Sequence, residues 1–337
     1  MKKELMLMIL TGIFVFPTFA QHPSQDQNWI VIFQDDFTSF NTVRWNKANN
    51  HIHGDEPQVY INTNVYTENG KLLLLTKKQN YPCPKGVSGC PSCQYTGIHS
   101  YTSGQIRSKL AYKYGYYEIY AKLPASSGYW PAFWFWHSGS TNTGCWYNEI
   151  DVFEASGCKT NTVESRVHWG FQCPSDAYGS SEAVPHSSNY STGYHWYGVE
   201  WTANKITWYV DRNPVRSINN NMGGIGIQNP MYIIINVALF PNGWGCNVSS
   251  SSIFPNYMYV DQANAYRLKC DKTTVVNEIP NYNTFYYAVK KSISLSSASS
   301  LSVGQNISLK ATDFIELKNG FEIPLGVELY LDITSCE

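Results

Sequence analysis

Three carboxylates stand close together in the stretch NEIDVFEASG, residues 148–157: Glu149, Asp151 and Glu154. The residues between them, Ile150, Val152 and Phe153, are those of a half-buried strand. In a regular strand alternate side chains share a face. Glu149, Asp151 and Phe153 would then point one way, and Ile150, Val152 and Glu154 the other. Burying Ile150 and Val152 would bury Glu154 with them, unpaired, which is unfavourable. One extra residue near Val152 and Phe153, a β-bulge, resets the alternation and puts the three acids on one face. Such a row has a chemistry. Two carboxyl groups about 5–5.5 Å apart can cleave a glycosidic bond with retention, one as nucleophile and the other as general acid. Four strand steps separate their backbones by about 13 Å, so the tips converge only where the strand curves towards a substrate. A third acid between them raises the proton affinity of its neighbours by like-charge repulsion. The competing reading is a solvated acidic face beside a core stripe.

Upstream lies GYWPAFWFW, residues 128–136. Trp130, Ala132, Trp134 and Trp136 alternate onto one face of a strand, opposite Phe133 and Phe135. An indole row suits either the C–H face of a sugar ring or the interior of a sandwich. His168, just before Trp169, fits a satisfied core histidine or a metal ligand. Asn236 interrupts the apolar run MYIIINVALF and requires a partner if it is buried.

The elements that must position these groups read as β throughout. Short runs rich in Tyr, Ile, Val and Trp recur at 29–33, 71–76, 115–123, 130–137, 147–154, 165–171, 205–211 and 231–240, with Gly, Asn, Pro and Ser clusters between them. No long segment carries a 3.6-residue period. Many strands in 337 residues imply two large packed sheets, a sandwich or jelly roll. The 24 basic and 25 acidic residues leave a net charge of −1, so nothing points to nucleic acid as a partner.

Residues 1–20 read as a signal peptide: a basic start, a short apolar run and a small-residue cleavage site before Gln21. No later stretch is long and apolar enough to span a membrane. Of the nine cysteines, most are expected in disulfides, with at least one left unpaired. The main domain is expected over 21–270, a linker over 271–291 and a small β module over 292–337, steadied by docking or by a disulfide from Cys336.

The runs GYWPAFWFW and EIDVFE together resemble glycoside hydrolase family 16, whose signature is Glu-x-Asp-x-x-Glu on a bulged strand. FQDDF (33–37), EPQVY (56–60), YGYYEIYAKLP (114–124), VHWG (167–170), VEWTANKITWYVD (199–211) and IIINVAL (233–239) fall in the family's order. The resemblance covers most of 29–270 and implies an all-β, concanavalin-like β-jelly-roll sandwich with a concave substrate cleft, joined to the small C-terminal β module. It implies Glu149 as nucleophile, Glu154 as acid/base and Asp151 as the group tuning the nucleophile. The bulged form resembles the laminarinase, agarase and carrageenase branch. Trp130, Trp134, His168, Glu118 and Asn236 match positions that line the family's cleft.

Two departures bear on the substrate. Tyr120 stands where the family has an Arg beside the Glu118 position, and INVALFPNGWG (235–245) replaces a Gly-Gly continuation. The resemblance also implies a structural calcium on the convex face, with Asp36 and Asp261 as candidate ligands, and no cofactor for catalysis. The expected activity is a secreted, endo-acting, retaining β-glucan hydrolase of the endo-1,3-β-glucanase kind, acting on polysaccharide as a monomer. The alternatives are a marine-galactan hydrolase of agarase or carrageenase type and a non-catalytic glycan-binding protein.

Overall fold

The computed structural model describes residues 22–54, 56–82, 98–137, 146–171, 177–180, 183–190, 192–222, 226–227, 229–241, 246–271, 273–277, 284–286 and 288–336. The signal peptide expected over 1–20 and Cys83, Cys90, Cys93, Cys145 and Cys173 lie outside the described residues.

Two sheets carry the main domain. In one, Trp146–Ala155 lies between Tyr129–His137 and Thr162–Phe171, and Tyr129–His137 is followed by Met231–Leu239 and Gln105–Tyr112. In the other, Gly115–Lys122 lies between His195–Trp201 and Asn256–Leu268. Within each of these groups neighbouring strands run antiparallel. The sequence alternates accordingly. Phe133, Phe135, Ile150 and Val167 of the first sheet meet Tyr117, Ile119, Tyr197 and Trp201 of the second in one buried core. Every second residue on these strands therefore faces away from the core, Glu149 and Asp151 among them. The β-jelly-roll sandwich is the architecture expected from the sequence.

The bulge lies where the spacing of the acids requires it. Against Tyr129–His137 the register slips between Asp151 and Phe153, and against Thr162–Phe171 between Asp151 and Glu154. Val152 and Phe153 both point into the core, 4% and 0% exposed, which is how the strand recovers its alternation. A bulge leaves backbone groups without ladder partners, and here the facing sheet supplies one. The Trp208 indole N–H donates to the carbonyl of Asp151 at 2.8 Å. Trp208 is 1% exposed, so the hydrogen bond crosses the core itself. Gly157 closes the segment, because a Cβ there would overlap the Ser126 carbonyl.

Beyond Cys270 the chain builds a third sheet from Thr274–Val276, Thr284–Tyr286, Lys290–Leu295, Asn306–Leu317 and Glu328–Ile333, with parallel pairings between them. It has its own small core of Val275, Ile293, Leu295, Ile307 and Leu309. Its first two strands lie inside the 271–291 stretch expected as a linker, which is therefore part of the sheet. Parallel pairing places Val275 beside Ile293, and a run with no period of its own becomes a strand through its neighbour. Cys336 is disulfide-bonded to Cys270, and Cys158 to Cys246. The first bond ties the end of the module to the end of the sandwich. Bonds of this kind typically contribute about 2–4 kcal/mol. Asp271 and Lys290 form an ion pair at the same junction.

Candidate active site

Directly opposed residues on neighbouring strands share a face, so the registers of the acid strand define the site. Glu149 lies between Trp136 and His168, Asp151 between Trp134 and Arg166, and Glu154 between Ala132 and Glu164. The three acids form one row on the outer face of their sheet, with Ile150, Val152 and Phe153 in the core behind them. Polar atoms of Glu149, Asp151 and His168 all come within 4.8 Å of one another.

The acids differ in environment. Asp151 is 2% exposed, and its Oδ2 has no hydrogen-bond partner. Burial pushes its pKa far above the usual carboxylate range; the charges of Glu149 and Glu154 and a hydrogen bond with Glu149 push in the same direction. All of these causes favour the protonated form of Asp151 over the ionised one. Glu154 is only partly covered. Its pKa is raised, chiefly by burial and to a lesser degree by Glu164, against the Arg166 cation and a hydrogen bond from the Trp130 indole. That hydrogen bond, Trp130 Nε1–H to Glu154 Oε1, measures 2.9 Å. The spacing of the acids predicts like-charge repulsion from the middle acid raising its neighbours. For Glu154 the structure puts burial first and Glu164 in the like-charge role.

His168 stands with Nε2 3.6 Å from Asp151 Oδ2, too long for a hydrogen bond. Burial, with Arg166 nearby, lowers its pKa to about 4, so it is a neutral imidazole at neutral pH. Asn236 is 4% exposed and engaged at both ends of its amide: it accepts from Trp134 Nε1 at 2.8 Å and donates to the Tyr60 hydroxyl at 2.9 Å. Trp130 is partly exposed and stacks in parallel on Phe240 at 4.8 Å. Trp134 lies on the cleft face but is 7% exposed, packed with Ala132, Ile234 and Trp136. It is more covered than Trp130 and Trp136, which are both partly exposed.

Glu118 is corrected by the structure. It lies on Gly115–Lys122 of the opposite sheet, on that sheet's outer face, across the sandwich from the acid row. Its 1% exposed side chain accepts from Arg212 at 2.9 and 3.1 Å, from Asn264 at 3.0 Å and from Tyr116 at 3.3 Å, with His22 at 3.1 Å. Tyr120, on the same outer face, stacks on Trp196 at 4.8 Å. Neither residue touches the cleft, so the Tyr120 departure carries no information about sugar preference.

The two residues expected as calcium ligands both have protein partners. Asp261 is paired with the Lys71 ammonium at 2.7 Å, where a cation ligand would need a metal. Asp36 accepts two hydrogen bonds from Thr38. Among the described residues neither belongs to a convergent group of three acid, His or Cys side chains.

Three contributors escaped the sequence reading: Arg166 and Glu164, which set the charge around Glu154, and Trp208, which satisfies the bulge. Arg166 and Glu164 lie one and two alternations before His168 on the same strand, so period-two alternation places them on its face. Trp208, from the opposite sheet, had no local signal.

The glycosyl hydrolases family 16 model matches residues 53–247. The glucan endo-1,3-beta-glucosidase A1 of Niallia circulans is 30% identical over 70% of this chain and 38% of its own length. The clotting factor G alpha subunit of Tachypleus tridentatus is 27% identical over 72% of this chain and 35% of its own. The chain thus spans well under half the length of either curated relative. The catalytic domain of an endo-1,3-beta-glucanase (laminarinase) from Thermotoga petrophila superposes with a TM-score of 0.57 at 25% identity, covering 72% of this chain and 98% of that one. With the family match spanning more than half of the sequence, and the acid row on its bulged strand, the chain belongs to glycosyl hydrolases family 16.

Proposed function

We propose that this chain is an exported, endo-acting β-glucan hydrolase of the endo-1,3-β-glucanase type, working with retention through a covalent intermediate. The observation that carries this reading is the acid row itself: two partly accessible carboxyl groups in unlike environments, with a buried third beside one of them. Glu149, ionised and accepting a hydrogen bond from protonated Asp151, attacks the anomeric carbon. Glu154, its proton affinity raised by burial, gives its proton to the departing glycosidic oxygen as that bond breaks. The glycosyl–Glu149 ester is then hydrolysed by a water whose proton returns to Glu154. Asp151 limits the charge on Glu149 before attack and hydrogen-bonds it afterwards.

Trp130 has two roles in this reading. Its indole N–H orients the Glu154 carboxyl, and its ring edge flanks the sugar beside it. Trp136 extends the floor past Glu149, and neutral His168 borders Glu149 and Asp151 without adding a charge. No cofactor enters either step. The glucanase relatives support β-glucan as substrate, and a net charge of −1 suits a neutral glucan better than a sulfated galactan. The two disulfides support an oxidising compartment, consistent with residues 1–20 acting as an export signal. Among the described residues no helix is long and apolar enough to cross a membrane. We take the active unit to be the monomer.

The test is incubation of the purified protein and its Glu149→Gln variant with laminarin, mixed-linkage β-glucan, agarose and carrageenan. Oligosaccharides released from the glucans by the wild type alone are the expected result. Cleavage confined to the galactans would replace the substrate assignment. Binding without cleavage of any glycan would remove the enzyme reading.

A further inference from the structure

Glu56 lies outside the acid row and is assigned no part in the chemistry above, yet it is buried, at 9% exposure. Its Oε2 accepts from Gln58 Nε2 at 2.5 Å and from the Tyr60 hydroxyl at 2.9 Å. Tyr60, fully buried, in turn accepts from Asn236 Nδ2 at 2.9 Å. Asn236 Oδ1 then accepts from the Trp134 indole N–H at 2.8 Å. Each hydrogen bond therefore donates in one direction, from the indole inward to the Glu56 carboxyl. A chain of this kind has one polarity and so fixes the Asn236 amide orientation, which is otherwise free to flip. Gln58 adds a second tether, its Oε1 accepting from the backbone N–H of Leu239 at 2.9 Å. The relay thus spans from the Glu56–Tyr60 segment to the Met231–Leu239 strand of the cleft sheet.

Its far end is at the reaction centre. Trp134 is paired in register with Asp151, which is hydrogen-bonded to Glu149. His53, three residues before Glu56, packs on the same indoles, with ring centroids 5.3 Å from Trp134 and 5.8 Å from Trp136. One short segment therefore contacts the cleft floor directly through His53 and grips it from behind through Glu56.

We propose that Glu56 is a positioning residue for the cleft floor, fixing Trp134 through Tyr60 and Asn236 so that Trp136 and the adjoining subsites are shaped for a glycan chain. It touches no substrate. Its action is on binding rather than on the bond-breaking step. The inference rests on the β-glucan reading for its substrate, and wild-type hydrolysis of glucan serves as the control for that reading.

The test uses Glu56→Ala, Glu56→Gln and Tyr60→Phe in the full chain, assayed on β-1,3-glucan oligosaccharides with melting temperature recorded. Glu56→Gln keeps an acceptor for Tyr60 and Gln58 and should stay within about twofold of wild type. Glu56→Ala and Tyr60→Phe cut the relay, and KM should rise about tenfold, the equivalent of one ordinary hydrogen bond, with kcat within about twofold. A second readout follows the Trp134 indole N–H by ¹⁵N NMR, assigned with Trp134→Phe. The resonance should be protected from exchange in the wild type and Glu56→Gln, and exposed to exchange in the two cut variants. Three results would overturn the proposal: an unchanged KM in folded Glu56→Ala, a Glu56→Gln variant as impaired as Glu56→Ala, or an indole signal indifferent to the cuts. If the wild type itself cleaves no glucan, the functional reading fails, while the NMR arm still decides the relay.

Discussion

The two outer faces of the sandwich each hold a buried carboxyl in the middle of a strand, and the two behave in opposite ways. On the sheet away from the cleft, burial pushes Glu118 up, but hydrogen bonds from His22, Arg212 and Asn264 outweigh it and hold its pKa below the usual value. On the cleft sheet Asp151 is buried to a similar degree, with one oxygen undonated and two acids beside it, and its pKa rises far above that value. Glu56 falls between them: two neutral donors do not offset burial, and its pKa stands at about 8. Burial is thus common to structural and chemical carboxyls in this fold. The donors around each one separate an anion that holds strands together from an acid that holds a proton.

That contrast can be broken first at the acids. Replacing Glu154 with Gln should lower kcat on glucan by roughly 10²–10⁴-fold, the usual worth of a general acid, and Glu149→Gln should lower it at least as far. Glu118→Leu should leave kcat and KM of the folded protein unchanged. Comparable catalytic losses at Glu118 and Glu154 would erase the distinction.

Glu56 sharpens it through pH. Its folded pKa of about 8 exceeds the ordinary 4.5, so between these values the folded chain keeps a proton that the unfolded chain has lost. Stability should therefore fall as pH rises from about 4.5 to about 8, by an amount on the order of a few kcal/mol, and then level off. Melting curves across that range should show this decline in the wild type and a shallower one in Glu56→Gln. Parallel curves would mean that Glu56 is ionised in the folded protein.

Glu118 should show the reverse sign. Its folded pKa is depressed, so its contribution is present above the unfolded pKa and lost as pH falls through the folded value. Removing it should cost about 2 kcal/mol at neutral pH, less than a fully buried pair, because the Arg212 side chain is 36% exposed. Denaturant titration of Glu118→Leu measures this, and no loss of stability would show the cluster to be neutral.

The smallest effect is at Trp130. Its indole N–H lowers the pKa of Glu154, so Trp130→Phe should shift the alkaline limb of the kcat/KM profile upward, by about one pH unit or less. A downward shift would mean that the indole acts on Glu154 in some other way.

Much of the acid row was legible in the sequence because period-two alternation is a local rule. Glu149, Asp151 and Glu154 can share a face only through a bulge, and the registers place it at Val152 and Phe153. Glu118 shows the limit of the same rule. Alternation says that it points away from the core, but not from which of two sheets. Tyr60 and Asn236 are separated by 176 residues, and Trp208 and Asp151 by 57, so their hydrogen bonds left no pattern in either segment. The C-terminal module illustrates a third limit. Its alternating runs look alike whether strands pair parallel or antiparallel, and Thr274–Val276 becomes a strand only through its neighbour.

The central claim is that the bulged strand presents Glu149 as a covalent nucleophile with Glu154 as its acid partner. A 2-deoxy-2-fluoro β-1,3-glucosyl fluoride slows the second step and traps the ester, and peptide mass spectrometry of the inactivated protein locates it. The account expects one adduct, on Glu149, with a β-configured first product from unmodified substrate. An adduct on another residue, or an inverted first product with no adduct at all, would contradict it.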